Sequence, residues 1–357
     1  MSPATVREHA RVKRASMSSW AGLAIAVPLI LVLADLPFLV GRGTQQSLVT
    51  LFTLVVLGTM WNLLAGYGGM VSIGQQAYIG VGAYGLVYIA DTIGVDPLLA
   101  VPAAAVLAGL VSIPISFLAF RLAGGYFAIG TWVIAEVLKL VLTQANDLGG
   151  GSGISLLAYR DFEPEVRIAT VYWMSLGAAV ATVLVAYLLM RSKLGLGFTA
   201  IRDDVTAAAS MGVGVTRARR LVFVVAATGC GLAGAVIASS TLRVQPDSFF
   251  SVQYSAFMLF IVVIGGIGSI EGPIIGAVLL YALQQWLSDL GTWYLIILGL
   301  VAIVVVLCLP GGLWGLVSGR GRIQFFPIGY RLLDPDRGPR PDPFPPSRTS
   351  QAAHDRG

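Results

Sequence analysis

Charge is what this chain has least of. Only 11% of its 357 residues are charged against 56% hydrophobic, where a soluble domain carries about 25% charged residues, and the mean hydropathy is +0.82. That deficit excludes a water-soluble fold and points to a bilayer. Histidine is nearly missing: His9 and His354 lie in the polar end segments, away from any buried site. Cys230 and Cys308 each lie inside an apolar run, which excludes an extracellular disulfide framework and a Cys/His metal centre. The sequence has no GxxxxGK[ST] phosphate loop, no HExxH and no GxSxG, so ATP hydrolysis and acid–base catalysis lack recognisable machinery. The chain reads as a non-enzyme, with no catalytic residue and no metal or cofactor of its own. Strict alternation in segments of about 10 residues is missing too, which excludes a membrane β-barrel. The net charge of +5 is scattered through loops without a basic groove or stacking aromatics, so nucleic acid is not an expected partner.

Long apolar runs and glycine are plentiful. A helix needs about 20 apolar residues to cross hydrocarbon, and about ten candidate spans can be drawn. They are Trp20–Val40, Gln46–Ala65, Gly69–Ala90, Pro97–Phe120, Tyr126–Ala145, Ala169–Met190, Ala218–Ser240, Tyr254–Ile267, Pro273–Leu287 and Trp293–Leu309. The expected fold class is therefore an all-α polytopic membrane protein. The 43 glycines and 17 prolines predict close helix packing and some broken helices. The eighth and ninth spans are separated by GGIGSIEGP, so a broken hairpin meeting partway competes with two full crossings. The first span follows a basic segment but is too long for a cleaved signal, and no small-x-small site closes it; it reads as retained.

Placing the N-terminus inside gives inner segments eighteen Lys and Arg and outer loops four, the bias expected of a multi-pass protein of the cell membrane with both termini cytoplasmic. Three regions follow: a basic N-terminus (1–19), a transmembrane domain (20–310), and a Pro- and Arg-rich tail (318–357) whose composition predicts disorder. The outward loop Asn146–Ile168, with DLGGGSG followed by Asp161, Glu163 and Glu165, suits either a flexible connector or a landing site for a soluble protein.

Polar residues inside apolar runs are candidates for function. In GYGGMVSIGQQAYIGVGAYG (66–85), Ser72, Gln75, Gln76, Tyr78 and Tyr84 either line a polar path or bond between helices. In the fifth span Glu136 and Lys139 stand at i,i+3, a spacing that suits an internal ion pair; the sharper alternative makes Glu136 a proton-coupling carboxylate, with Glu271 the other deep acid. The widest polar interruption, from Arg191 to Arg220, holds six basic and two acidic residues. Read as one helix, Phe198–Met211, it aligns Phe198, Ile201, Val205 and Ala208 on a stripe with Arg202, Thr206 and Ser210 opposite, and Gly212 as its stop. Such a helix can lie on the bilayer or enter a groove of a soluble partner.

Four stretches, in order, resemble one family: permease subunits of ATP-driven importers for branched-chain amino acids, related to those for urea and short-chain amides. They are GYGGMVSIGQQAYIGVGAYG; GGYFAIGTWVIAEVLKLVL followed by LGGGSGI; SKLGLGFTAIRDDVTAAASMGVGVTRARRLVFVVAATGCGLAGA; and VIGGIGSIEGPIIGAVLL. The sequence departs from the family pattern where Gln75 and Gln76 follow Ile73-Gly74 and a histidine is common. The resemblance implies alternating access, with Gly195–Val213 as the coupling element, so that Phe198, Ile201, Arg202, Asp203, Asp204, Val205 and Ala208 meet an ATPase. It also implies two ATPase subunits that use ATP and Mg, a second, similar permease chain, an external solute-binding protein and a surrounding lipid bilayer. A proton-coupled secondary transporter and a passive channel are the alternatives from other classes.

Overall fold

The computed structural model describes residues 11–13, 17–287, 291, 293–309, 311–317 and 331–333. Most of the terminal regions 1–19 and 318–357, including the tail expected to be disordered, lies outside the described residues. Helix α1 (Met17–Asp35) and a short turn lead into α2 (Arg42–Asn62). α2 continues through a wider π turn, Leu63–Tyr67, and 83% of its apolar window is buried. It is the central post because it is apolar all round: α6 (Pro164–Arg191), α9 (Val215–Thr241), α11 (Val252–Gly265) and α12 (Glu271–Leu287) all pack against it. α1 is tied to α6 by the Tyr172 hydroxyl, which donates to Leu33 O at 2.6 Å, and by the Trp173 indole, which donates to Ala34 O at 3.0 Å.

Glycines set the tightest crossing. α3 (Gln76–Val87) and α4 (Pro97–Ala119) both lie on α9. A Cβ on Gly82 would overlap the Gly231 carbonyl, and one on Gly234 the Ile79 carbonyl. Backbones approach this closely only without side chains between them, which is how dispersion holds helices together in lipid. The same device closes the hairpin of α11 and α12, where Gly276 faces the Ile261 carbonyl.

Among the described residues six helices are long and apolar enough to cross a membrane: α2 with its π turn, α4, α5 (Gly125–Gln144), α6, α9, and α10 (Pro246–Phe249) taken with α11. The protein is an all-α, multi-pass membrane protein. α1 and α13 (Trp293–Cys308) supply shorter apolar helices, and a last short helix, α14 (Gly312–Val317), packs on α11 and α12.

Two faces are distinguishable. On one, β2 (Ile154–Ser155) pairs antiparallel with β3 (Arg243–Val244). There the Asp91 carboxylate accepts from Leu157 N at 2.9 Å and Ala158 N at 2.7 Å, and the Tyr159 hydroxyl bonds Ser239 Oγ at 3.1 Å. The loop 146–168 is therefore clasped to the bundle and not a free connector. Burial raises the Tyr159 pKa above its ordinary value, against a smaller lowering by the Ser239 bond. Asp91→Ala leaves two loop amides without acceptors; it is expected to cost about 1–3 kcal/mol locally and to speed proteolysis of this loop while the helices stay protected.

The basic segment 191–220 occupies the other face, and the single helix expected over Phe198–Met211 is two. α7 (Lys193–Asp203) and α8 (Val205–Ser210) break at Asp204, which has φ −155° and ψ 113°. Its carboxylate accepts from Thr206 N at 2.7 Å and Ala207 N at 3.0 Å, a new N-cap that outweighs the periodic pattern. Gly212, at φ +83°, ends α8 as the sequence suggests.

The third span is shorter than expected over Gly69–Ala90. Residues 68–75 run outside any helix, α3 starts only at Gln76, and a π turn (Tyr88–Thr92) completes it. The hairpin tip between α11 and α12 lies beside α7, while α10 starts next to β3 on the opposite face. α10 and α11, separated by Phe250 and Ser251, together cover 20 residues and carry the chain from one of these faces to the other.

Candidate functional site

Non-helical backbone inside a membrane protein must find its hydrogen bonds among side chains. Around the break at 68–75 they come from three helices. The Trp61 indole of α2 donates to Ser72 O at 2.9 Å. Ser72 Oγ lies 3.2 Å from Thr131 Oγ1 of α5 and accepts from Gln75 Nε2 at 3.3 Å. Ser255 of α11 lies between Ile73 O, at 2.7 Å, and Gln76 Oε1. Ser72, Gln75 and Gln76 are all buried, and Gln75 Oε1 and Gln76 Nε2 have no partner among the described residues. Amide groups left open at such depth are costly for structure alone and are the groups a polar solute or water would meet.

The five residues expected on a path do not form one wall. Ser72, Gln75 and Gln76 come together at the break. Tyr78 instead packs its ring edge-on to Phe223 of α9 at 5.7 Å, and Tyr84 stands further along α3 beside Phe250, its hydroxyl unpartnered. An open pocket of about 370 Å³ adjoins the break, lined by Trp61, Ser72, Ile73, Ser255 and Leu259 among others. A second, of about 570 Å³, opens on the basic face between Val71, Gly124, Phe127, Val205 and Arg219.

Four residues at these contacts were not singled out by sequence reasoning: Trp61, Asn62, Thr131 and Ser255. Asn62, buried at the end of α2, donates through Nδ2 to Ser269 O at 2.7 Å and accepts from Gly268 N at 2.9 Å. It thereby pins the tip of the α11–α12 hairpin. Arg202 of α7 donates to Gly66 O at 3.4 Å on the same π turn. Tyr67 there lies within electrostatic reach of both Glu271 and Arg202. An amide inside the apolar run MWNLLAG was the available signal for Asn62.

The intramembrane ion pair expected between Glu136 and Lys139 is not formed. Lys139 Nζ sits 2.8 Å from Asp247 Oδ1 on α10, because the end of α5 packs against that short helix. Glu136 has no salt bridge among the described residues.

The apolar stripe of the basic segment also faces inward. Phe198 and Ile201 are each 1% exposed and Ala208 is fully covered by this chain's own core, so these three cannot enter a partner's groove. The stripe is spent on holding α7 and α8 to the transmembrane domain. Arg202, Asp203, Asp204, Val205, Thr206 and Ala207 form an exposed ledge, with Val205 40% exposed and Arg202 and Asp203 paired at 3.3 Å.

The family model described as "Branched-chain amino acid transport system / permease component" matches residues 43–319, which takes in the break, the hairpin tip and the ledge. The chain belongs to this permease family. It is similar to the high-affinity branched-chain amino acid transport system permease protein LivM of Escherichia coli (strain K12), 27% identical over 80% of this chain and 73% of the relative. The LivM protein of Salmonella typhimurium (strain LT2) is 29% identical over the same shares. The ribose import permease protein RbsC of Bacillus subtilis (strain 168) is 25% identical over 50% of this chain and 57% of the relative. No solved structure matches the chain. The permease is thus a transport subunit of an ABC importer, not an enzyme, and the break, the hairpin tip and the ledge are its three candidate working parts.

Proposed function

We propose that this permease forms one half of the translocation path of an ATP-driven importer for branched-chain amino acids. A second, similar permease chain supplies the other half, two ATPase subunits consume ATP and Mg on the cytoplasmic side, and an external binding protein delivers the solute. The observation that carries this reading is the ledge 202–207: an exposed polar surface, rigidly seated by Phe198, Ile201 and Ala208, joined through Arg202 to the π turn of α2. A surface meant to lie on lipid would leave that stripe free. Rocking the ledge moves the π turn and the hairpin together and so opens the break to alternate sides. In this reading α1, α3, α12 and α13 complete the six long helices to ten crossings, and the excess of Lys and Arg on the face of the ledge supports its lying in the cytosol of a cell whose inner membrane holds the protein. The antiparallel pairing of β1 (Arg11–Lys13) with β4 (Arg331–Leu333) supports both chain ends on one face.

Proteoliposomes test the power source. Leucine uptake is expected only with all subunits and ATP; uptake by this chain alone under a proton gradient would overturn the proposal in favour of a secondary transporter. The ledge is tested by a pair of variants. Val205→Asp adds charge to an exposed position and is expected to release the ATPase in co-purification while the permease stays folded. Ile201→Asp buries a carboxylate, a loss of several kcal/mol, and is expected to remove the folded permease itself.

A further inference from the structure

α5 is the least enclosed of the long helices, with 17% of its apolar window buried. Its covered side, with Thr131 and Ala135, is fastened to the helix break through the bond between Thr131 and Ser72. The helical period puts Glu136 on the other side, among Ile129, Trp132, Val133 and Leu140, all exposed. α4 offers the contrast. Its exposed side is Leu98, Leu99, Val106, Leu110 and Phe117, without a charge, as hydrocarbon requires.

A carboxylate near the middle of a span cannot face hydrocarbon at acceptable cost, and such groups face a bundle interior or a water-filled space. Among the described residues no cation forms a salt bridge with it. Lys139, the nearest on the same helix, is held by Asp247 at 2.8 Å. Glu136, Lys139 and Asp247 together keep one negative charge in excess, and Tyr84 adds a buried, unpartnered hydroxyl close enough to Asp247 to feel its charge. A surface that is apolar, carries one carboxylate without a salt bridge and backs onto the break matches a small solute with one ammonium group and an aliphatic side chain.

We propose that the bare side of α5 lines the aqueous path shared with the second permease chain, and that Glu136 receives the ammonium group of the passing α-amino acid. This rests on the importer reading above, and Ile129, Trp132 and Leu140 would meet the side chain. The charge pair and the apolar side chain are then read by one helix face, and release needs only that the path open beyond it.

The test uses the complete importer in proteoliposomes, with Cys230 and Cys308 replaced by serine. Glu136→Cys is expected to react with a cationic, membrane-impermeant thiol reagent, while Leu110→Cys on the lipid side stays unreactive. Glu136→Gln is expected to keep the second permease, the ATPases and nucleotide hydrolysis but to lose about tenfold or more in leucine uptake, with Glu136→Asp restoring most of it. An unreactive Glu136→Cys, wild-type uptake by Glu136→Gln, or loss of the second permease from Glu136→Gln would overturn the proposal; the last would make Glu136 an ion-pair partner between chains. If the wild-type complex moves no leucine, the importer reading for this solute fails, while reagent labelling still reports whether α5 faces water.

Discussion

Asn62→Ala is expected to separate ATP hydrolysis from transport. The side chain of Asn62 makes both bonds that hold the hairpin tip to α2, to Ser269 O at 2.7 Å and from Gly268 N at 2.9 Å. Removing it leaves a buried carbonyl and a buried amide unpaired, a loss of about 2–5 kcal/mol for the two. The tip follows the central post only through this amide and its packing. Without it, movement of the ledge still reaches the π turn through Arg202 but no longer carries α11 and α12 along. In the reconstituted importer the expected result is ATP hydrolysis near the wild-type rate with leucine uptake reduced about tenfold or more. A fall of both activities in parallel would mean that Asn62 only stabilises the fold.

Gly234→Leu is expected to have the largest structural effect. Even a methyl at this position overlaps the Ile79 carbonyl, and a backbone atom cannot turn away as a side chain can. α3 would have to leave α9, taking with it the Gly82 contact and the edge-on packing of Tyr78 against Phe223. Overpacking of a core costs about 1–3 kcal/mol when side chains can adjust; here they cannot, and folded protein should be lost. Gly177→Leu on α6 is the control, since nothing lies within 4 Å of its Cβ direction. Size-exclusion profiles of the solubilised variants should show a monodisperse peak for Gly177→Leu and none for Gly234→Leu. Equal profiles would remove the close α3–α9 crossing from the account.

Much of the fold was legible because lipid makes the rules simple. Apolar runs located α2, α4, α5, α6 and α9 closely, and the abundance of glycine and proline announced some broken helices, while the glycine-rich stretch at 66–85 reads as part of an unbroken third span. The stretch did not reveal where the break lies, since Gly66, Gly68, Gly69 and Gly74 permit an interruption at any of several places. The position is fixed by Trp61, Thr131 and Ser255, which lie far apart in the chain and supply the bonds. The segment 191–220 was legible as an amphipathic element, but not which of its residues stay exposed. Periodicity identifies an apolar stripe but not what covers it, and Phe198, Ile201 and Ala208 of that stripe are covered by this chain itself. Asp203 and Asp204 were visible as charges; that the second restarts a helix depends on its dihedral angles. The pairing of Glu136 with Lys139 was inferred from spacing on one helix, and a carboxylate from α10 displaced it.

The amino-acid sequence by itself determined the solvent, the class of fold and the family, because hydropathy, glycine placement and four ordered motifs are properties of the chain read locally. The tertiary structure alone decided which polar groups are satisfied and which are open: that Asn62 holds the hairpin, that Gln75 and Gln76 keep free amide atoms at the break, that Lys139 turns to Asp247 and that Phe198 and Ile201 face inward. Each of these depends on which helices become neighbours. Neighbours are selected by the fit of whole surfaces, which no short window of sequence contains.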